Sequence, residues 1–209
     1  MVDQENNNYV KNLNPYLVYK KENAPINNDL ISFYFQINQL KNLYRQGWIR
    51  KRLGMEYINQ CESVADHCFG LALLAIGIID KYSLDYDVEK VLKLALLHEL
   101  GEIYVGDYIP FDNITKEEKH EQESGAIKRL LESVNFDNSY YETWLEFESA
   151  SSEEAVFVKE LDGLEFLFQG TCYNLDVSYL NYSISKVTSP LLKSIVQDLI
   201  ETTKGKNVQ

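Results

Sequence analysis

Residues 62–81 constrain this chain more than any other stretch. Val64, Phe69, Leu71, Leu74, Ala75 and Ile78 leave a helix there almost no polar surface. A helix that is apolar nearly all round belongs in the middle of a bundle, where its neighbours cover it. The flanking sequence supplies those neighbours. Leu30, Phe33, Ile37, Leu40 and Tyr44 recur at three- and four-residue steps from Asp29 until Gly47 stops the pattern, and the basic residues Arg45, Arg50, Lys51 and Arg52 follow as a loop. A third helix starts at an Asp87 cap, carries Val88, Val91, Leu92, Ala95, Leu96 and His98, and runs to about Gly106. The capping box Thr115-x-x-Glu118 opens a fourth, reaching about Val134. A fifth covers roughly 139–148. A sixth begins at a second box, Ser151-x-x-Glu154, and extends to about Gln169, and a last one starts at Ser189-Pro190. No hairpin signal or internal repeat interrupts this, and 4 prolines and 10 glycines are too few for a loop-rich β protein. The expected fold is all-α, a single-domain helical bundle over 29–205. An Asn-rich extension over 1–28 precedes it, packing through Tyr16, Leu17 and Tyr19 if at all.

The formal charge of −12, with no long basic stripe, argues against binding a nucleic-acid polymer. It leaves room for a small phosphorylated substrate, because a metal ion inverts the local potential. Cys61, Cys68 and Cys172 are an odd number without a C-x-x-C pair, which reads as free thiols in a reducing compartment. No apolar run reaches the roughly 18 residues of a membrane span, and no signal sequence is visible, so the expected setting is the cytoplasm. Tyr140, Tyr141, Trp144 and Phe147 on the fifth helix read as an exposed aromatic face and suggest a homodimer.

Polar residues inside apolar helical faces carry the chemistry, since burying an unpaired charge is costly. His67 lies among Val64, Leu71 and Leu74. His98 and Glu99 end the run Leu94-Ala95-Leu96-Leu97. Asp162 sits on a stripe with Leu161 and Glu165. Two imidazoles and two carboxylates on three apolar helices suit a divalent ion such as Mn²⁺, Co²⁺, Zn²⁺ or Fe²⁺. Glu102, one turn beyond His98 on a continuous helix, would share its face and reach a metal-bound water. Read alone, Asp107 is a loop residue beside Gly106. His120 sits on a charged face and reads as a surface histidine. Ser63 precedes His67 by four residues but lacks a third partner, so a serine hydrolase is not supported.

The blocks Glu62-Ser-Val-Ala-Asp-His67, His98-Glu99-Leu-Gly-Glu102-Ile-Tyr-Val-Gly-Asp107, Lys116-Glu-Glu-Lys-His120 and Val158-Lys-Glu-Leu-Asp162 resemble the HD-domain phosphohydrolases, most closely their 5′-deoxynucleotidase branch. The resemblance spans roughly 30–170. It implies an HD-type helical domain in which His67, His98, Glu99 and Asp162 hold one divalent ion (Mn, Co, Zn, Fe or Mg) and a nucleoside 5′-monophosphate, preferably deoxy, is the substrate. Glu102 then matches the acid that activates water, and Asp107 a second carboxylate near phosphate and sugar. Arg45-Gln-Gly-Trp48 matches a segment that puts an aromatic on the sugar, with Arg45, or failing that Arg50, neutralising the phosphate. One position departs from the pattern: the family's His-Asp pair is His98-Glu99 here, and the extra methylene carries the carboxylate about 1.5 Å further out. A second reading therefore stands beside the hydrolase, a catalytically weakened HD-type protein that binds a nucleotide or a protein partner. A phosphodiesterase or triphosphohydrolase ranks lower, because a triphosphate asks for more basic residues.

Overall fold

The computed structural model describes residues 28–51, 61–109, 112–175 and 181–204. The expected extension with Tyr16, Leu17 and Tyr19, the side chain of Lys51, Arg52 and the domain end at 205 lie outside the described residues. Among the described residues the structure is helical throughout, with one isolated antiparallel bridge between Tyr44 and Ser63. The helices are α1 (Asp29–Ile37), α2 (Gln46–Lys51), α3 (Val64–Tyr82), α4 (Val88–Leu97), α5 (Glu102–Val105), α6 (Lys116–Ser133), α7 (Ser139–Ser149), α8 (Glu153–Cys172), α9 (Asn181–Lys186) and α10 (Pro190–Lys204).

The apolar helix α3 is central, as its composition requires. Ser63 and Asp66 close a capping box at its start, Leu71, Ala72, Ala75, Ile78 and Ile79 are buried in the core with α4 and α8, and Val64 and Cys68 are buried against Leu40 and Leu43. Its cover is incomplete, for Phe69 and Leu73 remain 62% and 53% exposed. Leu161, Leu164 and Leu167 of α8 are fully buried in the same core as Leu71, Leu94 and Trp48. Truncating one such leucine to alanine costs about 2–5 kcal/mol.

Several expectations are corrected. The first periodic segment does not continue to Gly47. After α1 the chain tightens into a 3-10 turn over Asn38–Lys41 and then runs extended, where Leu43 O accepts from Val64 N and Arg45 N donates to Glu62 O. Backbone pairing with the start of α3 outcompetes helix continuation there and turns Arg45 inward. The third helix likewise ends at Leu97, not near Gly106. His98 caps it, and Leu100, Glu102 and Ile103 donate to carbonyls three residues back, so α5 is separate and Gly106 leaves it at φ 83°. The cap of α8 is Ser152, whose side chain accepts from Ala155 N, rather than Ser151. The sequence pattern missed α9 altogether, and Arg50 and Lys51, expected in a loop, belong to α2. Finally, the aromatics of α7 are not an exposed face. Trp144 and Phe147 are buried, Trp144 in a second core with Leu100, Ile127 and Leu130, and Tyr140 packs on Phe33 and Phe136. That helix therefore offers no argument for a homodimer.

Candidate active site

Three segments converge on one point. His67 projects from the second turn of α3, His98 and Glu99 from the turn closing α4, and Asp162 from the middle of α8. His67 Nε2 is 3.3 Å from His98 Nε2 and 3.4 Å from Asp162 Oδ1, and His98 Nε2 is 3.6 Å from Glu99 Oε1. The far sides of both rings are spoken for. His98 Nδ1 lies 2.9 Å from the Ala95 carbonyl, which only accepts, so that nitrogen carries the hydrogen. His67 Nδ1 lies 2.6 Å from Glu165 Oε2 and donates to it. Two buried Nε2 atoms thus face each other with lone pairs inward, an arrangement that demands a cation between them.

A proton or a metal meets that demand. Burial and Arg45 oppose a charge on His67, but the bonds with Asp162 and Glu165 outweigh them and push its pKa up to about 10. Burial lowers His98, so His98 presents a free lone pair at neutral pH. Burial opposes charge on Glu99, yet His98, Arg45 and Lys119 bring it down to about 2. Asp162 is held well below the usual range: burial opposes this, but the His67 bond and Lys186 prevail. Donors about 2.1 Å from a common ion stand about 3.0 Å apart in an octahedron and about 3.4 Å apart in a tetrahedron. The spacings His67–His98, His98–Glu99 and His67–Asp162 are of that order, and the His67–His98–Glu99 group is tight enough to hold an ion, with Asp162 joined to it through His67. The residues fit a divalent metal.

Glu102 and Asp107 lie beside this cluster. Glu102 is buried, and its Oε2 has no hydrogen-bond partner. Burial, then the charges of Glu99 and Asp107, hold its carboxyl well above the ordinary range. Asp107 is also raised by burial, although Arg45 opposes this, and its Oδ2 accepts the backbone N–H of Gln46. The cluster opens on a cavity of about 440 Å³ with His98, Glu99 and Asp162 in its wall together with Lys119, Lys159 and Lys186.

The sequence profile of the HD domain matches residues 37–202 of this chain. The chain belongs to the HD-domain family. Among its relatives, the 5′-deoxynucleotidase HDDC2 of Mus musculus is 38% identical over 146 residues, 69% of each chain. The 5′-deoxynucleotidase hdd1 of Schizosaccharomyces pombe is 31% identical over 191 residues, covering 86% of this chain and 92% of its own. A conserved hypothetical protein from Pyrococcus furiosus superposes with a TM-score of 0.64 at 27% identity, over 83% of this chain and 98% of that one.

Within this HD domain the two residues expected at the substrate differ in placement: Trp48 lies in the core, and Arg45 lies at the cluster, paired with its carboxylates. Trp48 is fully buried, its ring stacked on Phe166 with centroids 4.0 Å apart and its Nε1–H donated to Glu62 at 2.7 Å, so it presents no face to a sugar. Arg45 is committed to carboxylates, with Nη1 2.8 Å from Glu99 Oε1 and 3.6 Å from Asp107 Oδ1. Arg50 pairs with Asp112 at 2.6 Å. His120 stacks on Trp144 and is no part of the cluster. The longer Glu99 side chain thus reaches Arg45 and His98 with the same oxygen.

Two functional features were not assigned from sequence. Glu165 sits one turn after Asp162 and orients His67, and a Cβ on Gly70 would come within 3.0 Å of its Oε1, so the bare glycine makes room for the pair. Glu62, pushed up to about 7 by burial and by the charge on Glu165, backs this pair in turn. The other feature is Lys119, whose i,i+4 setting with Glu123 looked like ordinary helix surface.

Proposed function

We propose that this chain is a metal-dependent phosphohydrolase that removes the 5′-phosphate from deoxynucleoside monophosphates. The observation that carries the reading is the pair of inward-facing Nε2 atoms, with Asp162 and Glu99 at ligand spacing, in the wall of a cavity of about 440 Å³. That volume suits a small-molecule ligand, and relatives matched over most of their length are 5′-deoxynucleotidases. His67, His98, Glu99 and Asp162 would hold one divalent ion. When bound, such an ion supplies Lewis acidity toward a phosphoryl oxygen and acidifies a water.

The protein's own groups do the rest. Glu102, buried and without a hydrogen-bond partner at Oε2, is the group that takes the proton of the attacking water. Asp107 anchors the turn after α5 through Gln46 N and shares Arg45 with Glu99, so Arg45 holds both carboxylates in register. Trp48 serves as a positioning residue that fixes Glu62 behind Glu165 and His67. Glu99 keeps the charge of the family's aspartate and stays 3.6 Å from His98 Nε2, which favours turnover over the weakened binding protein. Free Cys61, Cys68 and Cys172 and a nucleotide substrate fit a cytoplasmic setting. No helix among the described residues is long and apolar enough to cross a membrane.

Glu102→Ala tests the assignment. Turnover is expected to fall at least about 100-fold with metal content unchanged; full activity with normal metal content would remove Glu102 from the chemistry.

A further inference from the structure

A phosphate dianion entering this cavity meets an acidic wall that carries Glu99, Glu123, Glu148, Glu160 and Asp162. Besides the ion the site would hold, a cation in the wall would have to grip the oxygens that do not react. Most of those nearby are already engaged. Arg45 is held by Glu99 and Asp107. The ammonium of Lys159 donates to the carbonyls of Phe147 and Glu148 at 2.9 and 2.7 Å, closing the C-terminal end of α7. Lys186 sits 3.2 Å from Asp162 Oδ2.

Lys119 differs from these. It lines the cavity together with Glu99 and Glu123. Its ion-pair partner is Glu123 at 3.3 Å, a contact too poorly directed to count as a hydrogen bond of Glu123 Oε1. An ammonium has three donors, and this contact leaves most of them for a ligand. Its position is built rather than incidental. A Cβ on Gly101 would come within 2.7 Å of Glu123 Cβ and 3.0 Å of Glu123 Cα, so α6 reaches the turn after His98 only because residue 101 has no side chain. That approach turns an ordinary helix-surface lysine toward the active centre.

We propose that Lys119 is a phosphate-binding residue of the substrate site, gripping non-reacting phosphoryl oxygens of the nucleotide. This rests on the reading of the site as a phosphomonoesterase. The test compares metal-loaded wild-type protein, Lys119→Gln and Lys119→Arg in three measurements: KM against kcat for deoxynucleoside monophosphates, affinity for inorganic phosphate, and inhibition by the phosphate-free deoxynucleoside. Losing a charge-assisted hydrogen bond corresponds to about 10- to 100-fold. KM and the phosphate dissociation constant of Lys119→Gln should rise by about that factor, with nucleoside inhibition within about twofold of wild type, and Lys119→Arg should recover most of the loss. Unchanged phosphate affinity in Lys119→Gln overturns the proposal, as does a parallel loss of nucleoside binding. If wild-type protein hydrolyses no nucleotide, the phosphatase reading fails, while the inorganic phosphate arm still decides the role of Lys119; wild-type protein that binds no phosphate overturns it.

Discussion

Replacing Glu165 by glutamine isolates what a carboxylate behind a ligand histidine contributes. The substitution keeps the side chain's size beside Gly70 and leaves an oxygen able to accept the Nδ1 hydrogen, but removes the negative charge 2.6 Å from the ring. Two effects oppose each other. Without that charge His67 gives up its proton more readily, which helps an incoming ion. The ring also becomes a poorer donor, and a doubly charged ion loses more Coulombic support than the proton it displaces. The second effect wins because the ion brings twice the charge to the same place. Groups standing behind metal-bound histidines are worth about 10- to 100-fold in affinity, or about 1.4–2.7 kcal/mol. Competition with a chromophoric chelator near neutral pH should therefore show Glu165→Gln binding Mn²⁺ or Zn²⁺ about 10- to 100-fold more weakly, with helix content by circular dichroism unchanged. Wild-type affinity in that variant would refute the argument that Glu165 orients and charges His67.

Other consequences concern stability. In excess chelator the protein should weaken as the solution becomes alkaline. The folded pKa of His67, about 10, lies above its ordinary 6.5, so the stabilisation is complete below pH 6.5 and is lost as pH rises through about 10. The full effect is at most roughly 4–5 kcal/mol. Glu62 and Glu123, both raised to about 7 chiefly by burial, act with the same sign but at lower pH. Urea midpoints that stay flat or rise between about pH 7 and pH 10 would contradict this. Gly101→Ala has an acceptable backbone at φ −62° but forces a new Cβ against the α6 backbone. It should cost about 1–3 kcal/mol, read as a drop in melting temperature, and raise KM by displacing Lys119; a variant as stable as wild type would show that α6 yields without cost.

His67, His98, Glu99 and Asp162 were legible because each is polar where the helical period demands an apolar residue, and that mismatch survives in one dimension. Glu165 lies on the same stripe, but its partner depends on how α8 crosses α3 at Gly70, which no local pattern records. Lys119 lay inside one of the blocks that carry the resemblance but was given no role, since an i,i+4 Lys–Glu pair marks solvated helices everywhere; the close approach at Gly101 brings it to the cavity. Trp48 was found by motif and assigned to the sugar, whereas the structure buries it in the core; Arg45, from the same motif, does reach the cluster, beside the Tyr44–Ser63 bridge. Glu102 reached the site by a different route from the one periodicity suggested. A turn after His98, not an unbroken helix, carries it there. The aromatics of α7 show the limit of reading one helix at a time, since their spacing does not reveal which side the next helix will cover.

Phosphate release from deoxynucleoside 5′-monophosphates, by protein whose metal content is measured in the same sample, tests the central claim most directly. Metal-loaded wild-type protein should release phosphate from one or more of the four common deoxynucleotides, chelation should abolish release, and Glu99→Asp should remain active. Stoichiometric metal with no phosphate released from any of them, by wild type or by Glu99→Asp, would contradict the account.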